Sequence, residues 1–252
     1  VGTGRQRLLV DTGEGRPSWI ANLTDTLQKE NAVISQAIIT HWHHDHVGGI
    51  KQLLEFSPST DVFKHQPSDG QLDIEDGQRF QVDGASLKAV FSPGHTQDHM
   101  SLIFEEEDAL FTGDNVLGHG TAVFEDLHAY LKSLEKMRGV FKGRAYPGHG
   151  AVIEDGPGKI LEYIQHRKLR ENQVIQVLKS AKEAPGVESI STEPSYWTSM
   201  EIVKIIYKDV PENLHIPANS GILQILYKLL EEEKIIEDPK TEKWRIKNRA
   251  AL

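Results

Sequence analysis

Thr40-His41-Trp42-His43-His44-Asp45-His46-Val47-Gly48-Gly49 follows directly on the β-branched run Ala37-Ile38-Ile39. Ala37–Thr40 reads as a buried strand. A strand presents alternate side chains on one face, so His41 and His43 can converge on one ion. Asp45 and His46, on the turn beyond, can point to a neighbouring ion. Gly48-Gly49 lets the backbone bend sharply and pass close to such a site. Three more ligand-type residues stand at loop starts just after apolar strands. His95 follows Pro93-Gly94, Asp114 follows Thr112-Gly113, and His149 lies between Pro147-Gly148 and Gly150. The donors are imidazole and carboxylate without sulfur, a set that suits zinc, with Mn²⁺ or Fe²⁺ as rivals. His65, His128, His166 and His215 lack such a setting and read as ordinary surface histidines.

Outward from this stretch, short strands alternate with helices. Arg7–Asp11 is an apolar run that ends in a loop, and Trp19–Leu27 has helical spacing of its apolar residues. Ile50–Phe56 is helical and Asp61–Lys64 a short strand. Arg79–Val82 and Leu87–Phe91 form a pair around Asp83-Gly84, a hairpin signal. Ser101–Phe104 and Ala109–Thr112 form another pair, Leu127–Met137 is an amphipathic helix, and Arg144–Tyr146 is a final strand. Two mixed sheets with outer helices, an α/β chain arranged as an αββα sandwich, fit this order. The histidines then fall at strand ends, where loops hold chemistry on a rigid frame.

The chain of 252 residues has a formal net charge of −9 and no cysteine. The length suits one large domain with an appendage. Disulfides, thiolate zinc sites, iron–sulfur clusters and cysteine nucleophiles are excluded. Residues 1–150 carry 13 Lys and Arg against 21 Asp and Glu, whereas residues 151–252 carry 15 against 16. Such an acidic larger half is a poor track for nucleic acid, and no run of aromatics among basic residues suggests base stacking. No apolar run approaches the ~20 residues that span a bilayer, and no secretory leader opens the chain. A cytoplasmic location without membrane attachment is expected.

After Gly156-Pro157-Gly158 the pattern changes. Lys159–Lys182 reads as a long helix, followed by a linker at Ala184–Ser195. Helix candidates are Ser199–Tyr207, Pro211–His215 and Ile222–Glu232, and Ile235–Glu237 with Trp244–Ile246 could form a β wing. The expected organisation is a catalytic domain at 1–158, a connecting helix at 159–183 and a winged-helix-like domain at 196–252. The tail is open to three roles: covering the active-site mouth, binding a partner, or pairing two copies as a homodimer.

The quoted stretch resembles the signature of the metallo-β-lactamase superfamily. So do Pro93-Gly94-His95-Thr96, Thr112-Gly113-Asp114 and Pro147-Gly148-His149-Gly150. The resemblance covers about residues 1–150. It implies two Zn²⁺ per chain, one on His41, His43 and His95 and one on Asp45, His46 and His149, with Asp114 bridging. Water held between two divalent ions loses its proton near neutral pH and becomes a nucleophile for an acyl carbonyl or a phosphorus. Asp45 is expected to fix one metal and orient that nucleophile, as the catalytic carboxylate. Ligating histidines need a partner for their second ring nitrogen, and Asp11 is the candidate. His99 is expected to line the site, and His119 to meet substrate or to be a plain loop residue. The resemblance also implies an opening hairpin ahead of Val1-Gly2-Thr3-Gly4, so the chain is expected to begin inside that element and to leave a sheet edge open.

Gly118-His119-Gly120-Thr121-Ala122-Val123-Phe124-Glu125-Asp126-Leu127 and Met200–Tyr207 resemble the lactamase-like branch that carries a C-terminal helical domain. Two activities are known in that branch. Fungal thioesterases release aromatic polyketides such as atrochrysone carboxylate from an acyl carrier protein, and an animal mitochondrial endoribonuclease cuts single-stranded RNA. Gly13–Trp19 and Gly113–Gly120 are more similar to the fungal thioesterases. The expectation is therefore thioester hydrolysis with an acyl carrier protein as partner, and the alternative is RNA cleavage in mitochondria. A non-catalytic binder on the same scaffold is disfavoured, because all seven expected ligands are present. Carrier proteins are acidic, so a basic patch is expected at His166-Arg167-Lys168-Leu169-Arg170 or Lys243–Arg249, each of which also reads as a solvated face.

Overall fold

The computed structural model describes residues 1–180 and 195–247. It divides into two compact units, Val1–Ile164 and Gln165–Leu252.

The first unit opens with β1 (Gln6–Val10), α1 (Pro17–Lys29), β2 (Val33–Ile39), the single turn α2 (His44–Val47), α3 (Ile50–Phe56) and β3 (Asp61–Lys64). Strand order in this sheet is β1-β2-β3, with both pairings parallel. A second sheet contains β4 (Arg79–Val82), β5 (Ala85–Phe91), β6 (Met100–Phe104), β7 (Ala109–Gly113) and β8 (Ala145–Pro147), in chain order. Its pairings are antiparallel except β7 with β8. Only the second sheet is mixed, so the expectation of two mixed sheets is corrected. Helical segments stand between β1 and β2 and between β2 and β3, and such crossovers return the chain in a parallel sense.

Strand β2 shows how the layers assemble. Ile38 packs with Leu8, Phe80, Leu87, Met100 and Leu102 between the two sheets. Its neighbours Ala37 and Ile39 face the other way, toward Leu27 and Leu53 of the helices. Both faces are dry, so the run is continuously apolar rather than alternating. Helix α4 (Leu127–Arg138) lies on the outer side of the second sheet, with Leu127, Tyr130, Leu134 and Met137 buried. The Ser133 hydroxyl donates to Pro93 O at 2.7 Å and the Tyr130 hydroxyl to Asn115 O at 2.6 Å. The layers are therefore helix, sheet, sheet, helix.

Helix α5 (Gly156–Lys179) begins three residues earlier than expected. Pro157 is compatible with a first turn, and Asp155 accepts the Gly158 amide there at 2.9 Å. The expected Ala184–Ser195 linker lies outside the described residues apart from Ser195, as do residues 181–183 of the expected connecting helix.

The second unit contains α6 (Ser199–Ile206), α7 (His215–Glu231) and the antiparallel pair β9 (Ile235–Asp238) and β10 (Lys243–Ile246). Thr198 and Glu201 form a reciprocal cap at the start of α6, an arrangement that contributes about 1 kcal/mol. The separate helices expected at 211–215 and 222–232 are one element. A short 3₁₀ turn, Glu212–Leu214, runs straight into α7. Pro217 sits in the first turn of α7, where its missing amide has no partner to lose. Among the described residues no helix is long and apolar enough to cross a membrane.

Candidate metal centre

At the end of β2 the backbone leaves the sheet. The Thr40 amide donates to Asp11 Oδ1 at 2.7 Å, and the Thr40 hydroxyl donates to the same carboxylate. Asp11 holds a left-handed backbone with φ 59°, a conformation that costs energy in a residue other than glycine. Its carboxylate is thereby placed to take a third contact, His46 Nδ1 at 2.8 Å. His46 is fixed from behind as well, since the Thr12 amide and hydroxyl both donate to its carbonyl oxygen at 2.8 Å.

The first group of donors is His41, His43, His95 and Asp114. His43 Nδ1 lies 3.0 Å from His41 Nε2 and 3.1 Å from His95 Nε2. Nitrogens bound at 2.0–2.1 Å to a tetrahedral ion stand ~3.3 Å apart, so the spacing is close to that of a shared ion. The outer nitrogens fix the tautomers. His41 Nδ1 donates to the Thr40 hydroxyl at 3.0 Å, and His95 Nδ1 donates to Val123 O at 2.8 Å. The lone pairs on His41 Nε2 and His95 Nε2 thus turn inward. Burial first, and then the neighbouring imidazoles, hold His41 well below the usual histidine range. His95 is lowered by burial too.

The second group is Asp45, His46 and His149. His149 Nε2 is 2.9 Å from Asp45 Oδ2, and His46 Nε2 is 3.7 Å from the same oxygen. Asp114 faces both groups: its carboxylate is 3.4 Å from His46 Nε2, 3.5 Å from His149 Nε2 and 3.8 Å from His95 Nε2. Burial opposes charge on His46, but hydrogen bonds to Asp11 and Asp114 outweigh it and push this histidine up to about 10. Burial also opposes charge on Asp114, yet the His46 contact and the surrounding imidazoles keep its carboxyl below the usual range. The field that would hold a proton here would equally draw a divalent cation.

Two buried atoms test the fit. His46 Nε2 and Asp114 Oδ1 are shielded from solvent without a hydrogen-bond partner. Buried polar atoms are seldom left so, and each lies among the donor atoms just described. The residues therefore suit divalent metal. Gly148 explains how the His149 loop comes so close: a Cβ there would stand 2.4 Å from Asp114 Oδ1 and 2.9 Å from His46 Cε1.

Of the residues expected around the ligands, Asp11 holds His46, and His99 stands behind Asp114. The Asp114 amide donates to His99 Nε2 at 3.2 Å, which leaves His99 Nδ1 to donate to the Ser92 hydroxyl at 3.0 Å. Burial lowers His99 to about 3, so it is a neutral support. His119 is exposed and belongs to neither donor group. His215 is buried rather than on the surface, with Nε2 against the Tyr207 and Val210 carbonyls. In the expected basic patches, Arg170 lies over the Tyr207 ring at 4.4 Å, and Arg245 donates to the Tyr196 hydroxyl. Asn248 and Arg249 lie outside the described residues.

Thr12, Thr40 and the Val123 carbonyl do not stand out in the sequence. The two threonines adjoin residues that do, which is the only local signal. Lys64 does not stand out either. It ends β3 as a buried lysine, 2.5 Å from the buried carboxylate of Asp98.

The metallo-β-lactamase superfamily profile matches residues 1–61 and 60–149. The chain belongs to this superfamily. A β-lactamase-associated winged-helix profile matches residues 198–244, in agreement with the two helices and wing of the second unit. The lactamase-like protein aptB of Emericella nidulans is 42% identical, over 99% of this chain and 81% of its own length. The lactamase-like protein vrtG of Penicillium aethiopicum is 46% identical, over 95% of this chain and 77% of its own. Among solved structures, a metallo-β-lactamase family protein from Thermus thermophilus superposes with a TM-score of 0.72 at 19% identity, covering 98% of this chain and 92% of that one. That likeness concerns the fold. The chain is a metallo-β-lactamase superfamily hydrolase with a C-terminal winged helix, and its His/Asp cluster is compatible with divalent metal.

Proposed function

We propose that this hydrolase holds two zinc ions and cleaves a thioester, releasing an aromatic polyketide of the atrochrysone carboxylate type from an acyl carrier protein in the cytoplasm. The observation that carries the reading is the pair of donor groups meeting at Asp114. His41, His43 and His95 would hold one ion, Asp45, His46 and His149 the other, and Asp114 would span both. Two divalent ions supply hydroxide near neutral pH and stabilise an oxyanion. Within the chain, Asp11 and Thr40 hold His46 and His41 in the tautomers that turn lone pairs inward, and His99 fixes the backbone of Asp114. Asp45, 2.9 Å from His149, would orient the attacking water. A departing thiol has a pKa of about 8.5, so a thioester asks little proton donation of the site. The close fungal relatives fit the fungal branch of the resemblance, and the acidic first 150 residues speak against an RNA track.

The test sets a carrier-bound aromatic thioester beside an inert thioester and a labelled single-stranded RNA, with the zinc-reconstituted chain. Free aromatic acid should appear, and His41→Ala should slow its release by more than about a hundredfold, since even supporting residues of metal sites are worth 10–100-fold. RNA cleavage that His41→Ala abolishes, without any thioester turnover, would reverse the assignment.

A further inference from the structure

A cleft of about 1190 Å³ is lined by neighbours of the first donor group in the chain, Trp42 beside His43 and Gln97 two residues beyond His95, though by none of the donors themselves. Trp42 forms part of its wall. This residue stands between two expected ligands in the sequence, yet it is 52% exposed. Its ring meets His43 nearly at right angles, with centroids 4.6 Å apart. A large aromatic ring left half open next to reactive groups is an available binding surface. Val47, Ile50 and Leu54 add apolar surface.

The polar lining mixes neutral side chains with opposed charges. Gln66, Gln71 and Gln97 reach the cleft, and each carboxamide both donates and accepts. The charged groups largely cancel. Lys64 is paired with Asp98 at 2.5 Å, and Lys51 lies 3.9 Å from Glu55. Glu125 then leaves the lining slightly negative. A phosphodiester would meet no net positive charge here. A fatty acyl chain would cover the amides without matching them. A flat ring system bearing hydroxyl and carbonyl oxygens matches both the indole and the amides.

We propose that Trp42 is the specificity-determining residue of this cleft, stacking on a planar, oxygenated aromatic acyl group while the glutamine amides bind its oxygens. The inference rests on the acyl-hydrolase reading of the adjacent centre for its catalytic role, but not for binding. The first measurement therefore needs no turnover. Titration calorimetry would compare a hydroxynaphthoic acid with octanoic acid on the zinc-loaded chain. Trp42→Ala should weaken hydroxynaphthoate by about tenfold or more, the range of aromatic stacking on a planar ring. Trp42→Phe should retain most of the affinity. Trp42→Leu, which keeps bulk without a π face, should behave like Trp42→Ala and serves if the alanine variant loses metal.

The second measurement is the ratio of kcat/KM for hydroxynaphthoyl over octanoyl carrier thioester. It should fall in Trp42→Leu, chiefly through KM, with zinc content equal to that of the parent. Equal weakening of both acids, or unchanged hydroxynaphthoate binding at full zinc content, would overturn the proposal. A parent chain that binds hydroxynaphthoate through Trp42 but hydrolyses neither thioester would support Trp42 recognition and sink the hydrolase reading instead.

Discussion

Replacing Asp114 by asparagine should lower bound divalent metal from two ions per chain to one or none and reduce hydrolysis by more than about a hundredfold. The carboxylate is buried and lies within 3.4–3.8 Å of His46, His149 and His95, residues drawn from both donor groups. Asparagine keeps the size and loses the negative charge that would offset the bound cations. It also replaces one acceptor oxygen with an NH₂ group among inward-facing lone pairs. The loss should therefore appear in metal stoichiometry as well as in rate. Metal analysis of the dialysed protein beside steady-state kinetics checks it. Two retained ions with near-normal rate would remove Asp114 from the centre.

The second large effect concerns stability. Lys64→Met should destabilise the chain by about 3–5 kcal/mol, because it leaves the Asp98 carboxylate buried and unpaired. The two side chains have only 7% and 2% relative exposure. Lys64 also donates to the carbonyls of His65 and Gln66, while Thr96 donates to Asp98 at 2.7 Å. The pair thus links the last residue of β3 to the loop between His95 and His99. A Lys64→Met, Asp98→Leu double variant should recover much of the loss, since no charge is stranded. Urea unfolding of the parent and both variants measures this. A single variant within about 1 kcal/mol of the parent would mean that water reaches Asp98.

The two effects differ in how far the sequence announces them. The candidate metal donors are legible because chemistry-bearing residues are packed at strand ends, at a density that core packing does not produce. His41 and His43 do come together, but beyond the end of β2 at Ile39, in the loop and not by alternation along a strand, and Asp114 faces both groups. The supports are less legible. Asp11 is found by its place before a turn, but its left-handed backbone and its grip on Thr40 are properties of the folded chain. Lys64 gives no signal, since a lysine ending a short strand is ordinarily solvated and only the folded chain reveals its buried partner. In the fold, the run Ala37–Ile39 announces the end of β2, but the sequence reading starts the strand at Ala37 and carries it to Thr40, whereas it runs from Val33 to Ile39. The wholly parallel first sheet is not announced, because strand direction depends on crossovers rather than on strand composition. The helix candidates at 211–215 and 222–232 are one element, because the 3₁₀ turn Glu212–Leu214 runs straight into α7.

Anomalous X-ray diffraction at the zinc edge, on crystals of the zinc-reconstituted chain, tests the centre most directly. The account predicts two peaks ~3.5–4 Å apart, one within bonding distance of His41, His43 and His95 and the other of Asp45, His46 and His149, with Asp114 between them. A single peak away from Asp114, or none among these seven residues, would contradict it.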